Sequence, residues 1–249
     1  MMDIRQYLDS TYLKLPSQSG LTEEQTWQEV KKLTKEVIDN HFCLAMIRPE
    51  YVKKAKELVT QAHSDVKIGT VIGFHEGTYP TEAKLAEAQK AIDDGVDEID
   101  YVINYEAFNN GDLNLVKNEF IKGTSLGLTN RKLVKWIIEI AALTDEQIQA
   151  ICTDISQWAQ ENFPKDAWHK IFVKSSTGFY KTENGKPNGA TFHGIEIMLK
   201  YAAPLPVKAA GGVRTYDEAV KMIEMGVKRI GTSSAKALAD DSSKTPNSY

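Results

Sequence analysis

Ile171-Phe172-Val173-Lys174-Ser175-Ser176-Thr177-Gly178 is the stretch from which the fold can be read. Three apolar residues run without alternation, as in a parallel strand covered on both faces. The run closes on a lysine, and four small residues follow at once. A second stretch repeats the design: Pro206-Val207-Lys208-Ala209-Ala210 leads into Gly211-Gly212-Val213-Arg214. An ammonium ion is costly to bury, so burial or a neighbouring cation lowers a lysine pKa toward neutrality. The neutral amine can then attack a carbonyl and form a Schiff base. One such lysine reads most simply as a strand end reaching solvent. Two of them, each opening a small-residue loop, point to imine chemistry on a phosphorylated carbonyl compound.

Working outward, apolar runs recur at 7–13, 42–47, 67–73, 98–103, 133–140, 170–174, 207–210 and 229–232. The first is the weakest of the eight. Amphipathic segments lie between them, at 22–40, 49–62, 81–94, 113–123, 145–158, 192–201 and 216–225. Gly95 and Gly226 supply stop signals. Strand and helix in alternation predict a parallel sheet with right-handed crossovers. Eight strands in 249 residues favour closure into a single (β/α)8 TIM barrel. No G-x-G-x-x-G turn supports an open dinucleotide-binding sheet. Residues 1–249 are therefore expected to form one domain, with a flexible polar tail at 240–249.

Composition narrows the function. Net charge is −4, with no dense basic run, which argues against nucleic acid as a partner. No apolar stretch reaches the length of a membrane span, and 1–15 lacks the apolar core of a signal peptide. Cys43 and Cys152 make neither a disulfide framework nor a zinc site, which suits a reducing cytosol. The five histidines show no metal-binding spacing, and no cofactor is called for. The expected partner is a small phosphorylated sugar or aldehyde; a homodimer is left open.

In a β/α barrel, catalytic groups gather at the carboxyl ends of the strands, and phosphate binds at the loops after strands seven and eight. Gly211-Gly212 and Gly231-Thr232-Ser233-Ser234 fall there. Their backbone N–H groups and hydroxyls are suited to an anion. Asp100 stands among apolar neighbours in strand four. A buried carboxylate needs a partner, so it reads as either a structural ion pair or a proton relay. Asp97 and Glu98 read as a strand-entry turn and a lateral contact. Asp9 reads as a cap or turn residue. His75 and Glu76 follow strand three and either face the active site or, as the default, are surface or supporting residues; Arg48 and Arg214 either contact an anion or, as the default, form surface ion pairs.

Taken together and in order, these pieces resemble the deoxyribose-phosphate aldolase family of class I aldolases over nearly the whole chain. The resemblance rests on Leu8-Asp9-Ser10-Thr11, Gly95-Val96-Asp97-Glu98-Ile99-Asp100, Phe172 to Gly178, Val207 to Arg214, and Gly231 to Ser234. It implies reversible cleavage of 2-deoxy-D-ribose 5-phosphate to acetaldehyde and D-glyceraldehyde 3-phosphate. Lys174 would form the imine, Lys208 would tune it, and Asp100 would move protons with an ordered water. Gly178, Gly211, Gly212, Ser233 and Ser234 would hold the phosphate. Asp9 and a terminal Tyr249 folding over the site would be auxiliary. The chain departs from the family pattern at Met46, at Phe179 where a lysine is common, at His75-Glu76, and at Ile140-Ala141. These changes leave room for a different aldehyde or sugar preference. A non-catalytic phosphate-ligand barrel is the remaining alternative.

Overall fold

The computed structural model describes residues 2–183 and 185–241. Eight strands close in chain order: β1 (Leu8–Tyr12), β2 (Leu44–Ile47), β3 (Lys67–Ile72), β4 (Glu98–Val102), β5 (Leu133–Ile137), β6 (Ile171–Lys174), β7 (Val207–Ala210) and β8 (Arg229–Thr232). Every neighbouring pair is parallel, including β8 back to β1. Nearly all strand residues are buried, which accounts for their continuous apolar pattern.

The helices are α1 (Pro16–Ser19), α2 (Glu23–Asn40), α3 (Val52–Gln61), α4 (Thr81–Asp93), α5 (Tyr105–Asn109), α6 (Leu113–Thr129), α7 (Asp145–Asn162), α8 (Phe192–Tyr201), α9 (Tyr216–Met225) and α10 (Ala235–Asp241). Threonine capping boxes open α2, α7 and α9, through Thr22, Thr144 and Thr215. Gly226, at φ 119°, ends α9 in the left-handed conformation the sequence signal implies. Among the described residues no helix is long and apolar enough to cross a membrane.

Three boundaries differ from expectation. The run at 133–140 leaves the sheet at Ile137, because Glu139 turns into the left-handed region at φ 56°. Helix α6 continues six residues past Gly123, to Thr129. There Gly123 and Gly127 let the helix lie close on Trp136 and Val134 of β5. The expected tail also begins too early, since 240 and 241 belong to α10. Leu238, on the same helix, is fully buried and anchors it to the barrel. The rest of that tail, Tyr249 included, lies outside the described residues.

Candidate active site

Register brings the chemistry together. Asp100 on β4 pairs in register with Lys135 on β5, and Lys174 on β6 with Lys208 on β7. Their side chains converge inside the barrel. Lys174 Nζ and Lys208 Nζ both donate to Asp100 Oδ2, each at 2.9 Å. Lys135 Nζ donates to Asp100 Oδ1 at 2.7 Å and to Glu98 Oε2 at 2.6 Å. Lys208 also forms an ion pair with Asp9 Oδ2 at 2.5 Å. Arg229 of β8 closes the network, donating from Nε to Asp9 Oδ1 at 2.7 Å and from a terminal nitrogen to Glu98 Oε1 at 3.0 Å. Gly231 leaves room for this packing; a Cβ there would lie 3.2 Å from Lys208 Cε.

The network holds four basic groups, Lys135, Lys174, Lys208 and Arg229, against three carboxylates, Asp9, Glu98 and Asp100. Fully ionised, it would carry one uncompensated buried positive charge. That excess is costly in a dry interior. Loss of one proton from Lys174 removes it. Burial is the largest influence on Lys174 and lowers its pKa; Asp100 opposes this, and the charges of Lys208 and Lys135 reinforce it. The result is a pKa of about 8. Burial also acts first on Lys135, but Asp100, Glu98 and Asp9 outweigh it and raise that ammonium above the ordinary lysine range. Burial alone would raise the Asp100 carboxyl, yet its three lysine partners hold it well below the usual carboxylate range.

Of the network's four basic groups, only Lys174 lines the adjoining cavity of about 660 Å³. The other walls include Thr11, Tyr12, Thr177, Gly178, Phe179, Gly211, Gly212, Arg214, Ser233 and Ser234. Gly178 and Gly211 sit at φ 80° and 73°, where a side chain is strained. Gly189 packs on the Gly211 backbone, leaving no space for a Cβ. Among the described residues, the N–H groups of Gly178, Gly212 and Ser233 engage no acceptor. Three residues that line the cavity therefore carry backbone donors left free for a ligand.

Of the residues singled out in the sequence, the structure brings Lys174, Lys208 and Asp100 into one hydrogen-bonded centre, and Gly178, Gly211, Gly212, Ser233 and Ser234 all line the adjoining cavity. The sequence reading missed Lys135, a cation inside an apolar strand and so the same signal that singled out Lys174, and Arg229, which opens β8 directly after Lys228. Asp97 makes the expected lateral contact, to Lys56 Nζ and Ile68 N. Glu98 does not: it is buried and binds Lys135 and Arg229. Asp9 is fully buried on β1 rather than capping a turn. Arg48 is no surface ion pair, since its Nε donates to the Leu13 carbonyl and its guanidinium lies 4.7 Å over Phe74. His75 stacks on Phe179 with ring centroids 5.6 Å apart, behind the cavity wall. Met46 is fully buried in β2 against Gly69. Among the described residues no cluster of three or more His, Cys, Asp or Glu is placed to hold a metal.

A closed parallel barrel with buried lysines and carboxylates converging on a cavity at its strand ends is the architecture of a β/α-barrel enzyme. The chain belongs to the DeoC/LacD family of aldolases, whose profile matches residues 6–237. It is 38% identical to the deoxyribose-phosphate aldolase of Thermococcus gammatolerans over 240 residues, covering 96% of each chain. It is 37% identical to that of Lactiplantibacillus plantarum over 238 residues, covering 95% of this chain and 99% of the relative. Among solved structures, the tetrameric deoxyribose phosphate aldolase of Aeropyrum pernix superposes with a TM-score of 0.75 at 28% identity, covering 97% of this chain and 91% of that one.

Proposed function

We propose that this chain is a Schiff-base aldolase that reversibly cleaves 2-deoxy-D-ribose 5-phosphate to acetaldehyde and D-glyceraldehyde 3-phosphate. The observation that carries the reading is Lys174: an amine with a pKa near 8, bonded to Asp100 and lining a cavity that Gly178, Gly212 and Ser233, with unengaged N–H groups, also line. The Lys174 amine adds to the C1 aldehyde, and loss of water gives an iminium. The C3 hydroxyl gives up its proton, the C2–C3 bond breaks, and its electron pair flows into the iminium to leave an enamine. D-Glyceraldehyde 3-phosphate departs. Protonation of the enamine at C2 and hydrolysis then release acetaldehyde and the free lysine. Asp100, an acceptor for Lys174 and Lys208, organises proton transfer through a water at C3 and C2. Lys208 supports the neutral form of Lys174. The five glycine and serine residues at the mouth take the phosphate, with Arg214 beside them.

A second reading keeps the imine and changes the aldehyde. Phe179 supports it, since this pocket wall is a ring braced by His75 and by Phe74 at 5.1 Å rather than a cation. Cleavage rates on 2-deoxyribose 5-phosphate and on unphosphorylated 2-deoxyribose decide between them. The leading reading expects a kcat/KM at least about a hundredfold higher for the phosphorylated sugar, equivalent to about 2.8 kcal/mol of phosphate recognition. Equal rates on the two sugars would favour the second reading, and no cleavage of either would reject both.

A further inference from the structure

Glu139 is a buried carboxyl that the chemistry above leaves unused. It is 1% exposed, lies two residues past the β5 end, and stands at φ 56° and ψ 68°. A non-glycine residue in this region is strained and persists only where its surroundings impose it. Here the backbone is pinned on both sides: Ile138 N donates to Lys174 O at 3.0 Å and Ile140 N to Ser175 O at 2.9 Å. The side chain reaches the loop after β6. Glu139 Oε2 accepts from Thr177 N at 3.0 Å and also from the Thr177 hydroxyl. Thr177 Oγ1 in turn accepts from Phe179 N at 3.0 Å. Asn188 Nδ2 holds the intervening Gly178 carbonyl at 3.2 Å. Glu139 Oε1 is buried without a hydrogen-bond partner among the described residues.

This wiring commits the Thr177 hydroxyl. Its hydrogen goes to Glu139 and a lone pair to Phe179 N, so Thr177 meets the cavity without a free donor. What the loop offers is the unengaged N–H of Gly178 and the ring of Phe179. We propose that Glu139 is a positioning residue for the phosphate end of the substrate: by tying Thr177 from both its N–H and its hydroxyl, it holds Gly178 in the cavity wall. The role rests on the reading that this cavity takes a phosphorylated sugar. Glu139 itself does not line the cavity, so it acts through the loop.

The test uses Glu139→Ala, Glu139→Gln, Thr177→Val and Thr177→Ser in the full chain. Two readouts are compared: affinity for inorganic phosphate by calorimetry, and the split of KM from kcat on 2-deoxyribose 5-phosphate. Glu139→Ala and Thr177→Val should weaken phosphate binding and raise KM about tenfold, the scale of one lost hydrogen bond. Their kcat, and their rate of borohydride trapping with acetaldehyde, should stay within about twofold of the parent. Glu139→Gln and Thr177→Ser keep the needed acceptor or donor, and should return both readouts to within about threefold of the parent. If Glu139→Ala does not fold, the contrast of Thr177→Val with Thr177→Ser decides alone. Unchanged phosphate affinity in folded Glu139→Ala or Thr177→Val overturns the proposal. So does a fall in kcat for Glu139→Gln at unchanged phosphate affinity, since that marks a proton donor. If the parent protein traps no acetaldehyde, the imine reading fails, while the phosphate comparison still decides the role of Glu139.

Discussion

At the scale of single residues, the account turns on the proton of Lys174. Its amine is protonated below about 8 and free above it, so imine formation should rise with pH through that value. The pH dependence of kcat/KM should show an acid limb there. Lys208→Leu removes a charge that lowers the Lys174 pKa, and it also leaves more of the Asp100 charge acting on Lys174, which raises it. Both changes push the same way. A rise of two units would cut the free amine at pH 7 about a hundredfold, with recovery toward pH 10. Stopped-flow trapping of acetaldehyde across pH measures this directly. An acid limb that stays near 8 in folded Lys208→Leu would mean that burial alone sets the amine. Lys174, Lys208 and Asp100 were legible because each is an ionisable group in an otherwise apolar run, which demands a partner or a task. Glu98 was misread, and Asp9 was singled out by the resemblance alone, because a carboxylate at a strand start looks like a turn residue until its cross-barrel partners are known. Arg229, which binds both, stands 131 and 220 positions away in the chain.

At the scale of elements, the strands were legible because a parallel strand buried on both faces leaves a continuous apolar run. Helix ends followed where the stop was local, as at Gly226. They failed at α6, where the expected helix ends at Gly123 but the cause of the glycine is tertiary. A Cβ on Gly123 would meet Trp136 at 2.8 Å, and one on Gly127 would collide with Val134. The glycines therefore mark a close helix–strand approach inside a continuing helix. Gly127→Ala should gain up to about 1 kcal/mol in helix propensity. It should lose about 1–3 kcal/mol to overpacking against β5. The expected net is a Tm lower by several degrees, with part of it restored in Gly127→Ala/Val134→Ala. Thermal unfolding of the single and double variants checks this. A single variant as stable as the parent would show that α6 can lift off the sheet at no cost. The short helix α5 escaped sequence reading for another reason: five residues carry too little periodicity to stand out, and Asn104 caps it from within a loop.

At the scale of the whole molecule, closure of the barrel is what gives the site its electrostatics. Seven ionisable side chains from β1, β4, β5, β6, β7 and β8 meet in one interior only because β8 returns to β1. Their sum is one positive charge in excess, and the group that can shed it is the one that reaches the cavity. Eight alternating units made the closure foreseeable from sequence. The charge count was not, because it depends on which side chains point inward together, and register decides that. The central claim is that Lys174 is the nucleophile this arrangement prepares. The most direct measurement is treatment of the full chain with acetaldehyde and sodium borohydride near pH 8, followed by peptide mass mapping. The account predicts one reduced ethyl adduct, on Lys174, formed faster than on any other lysine. An adduct mapped to Lys208 or Lys135, or surface labelling with Lys174 untouched, would contradict it.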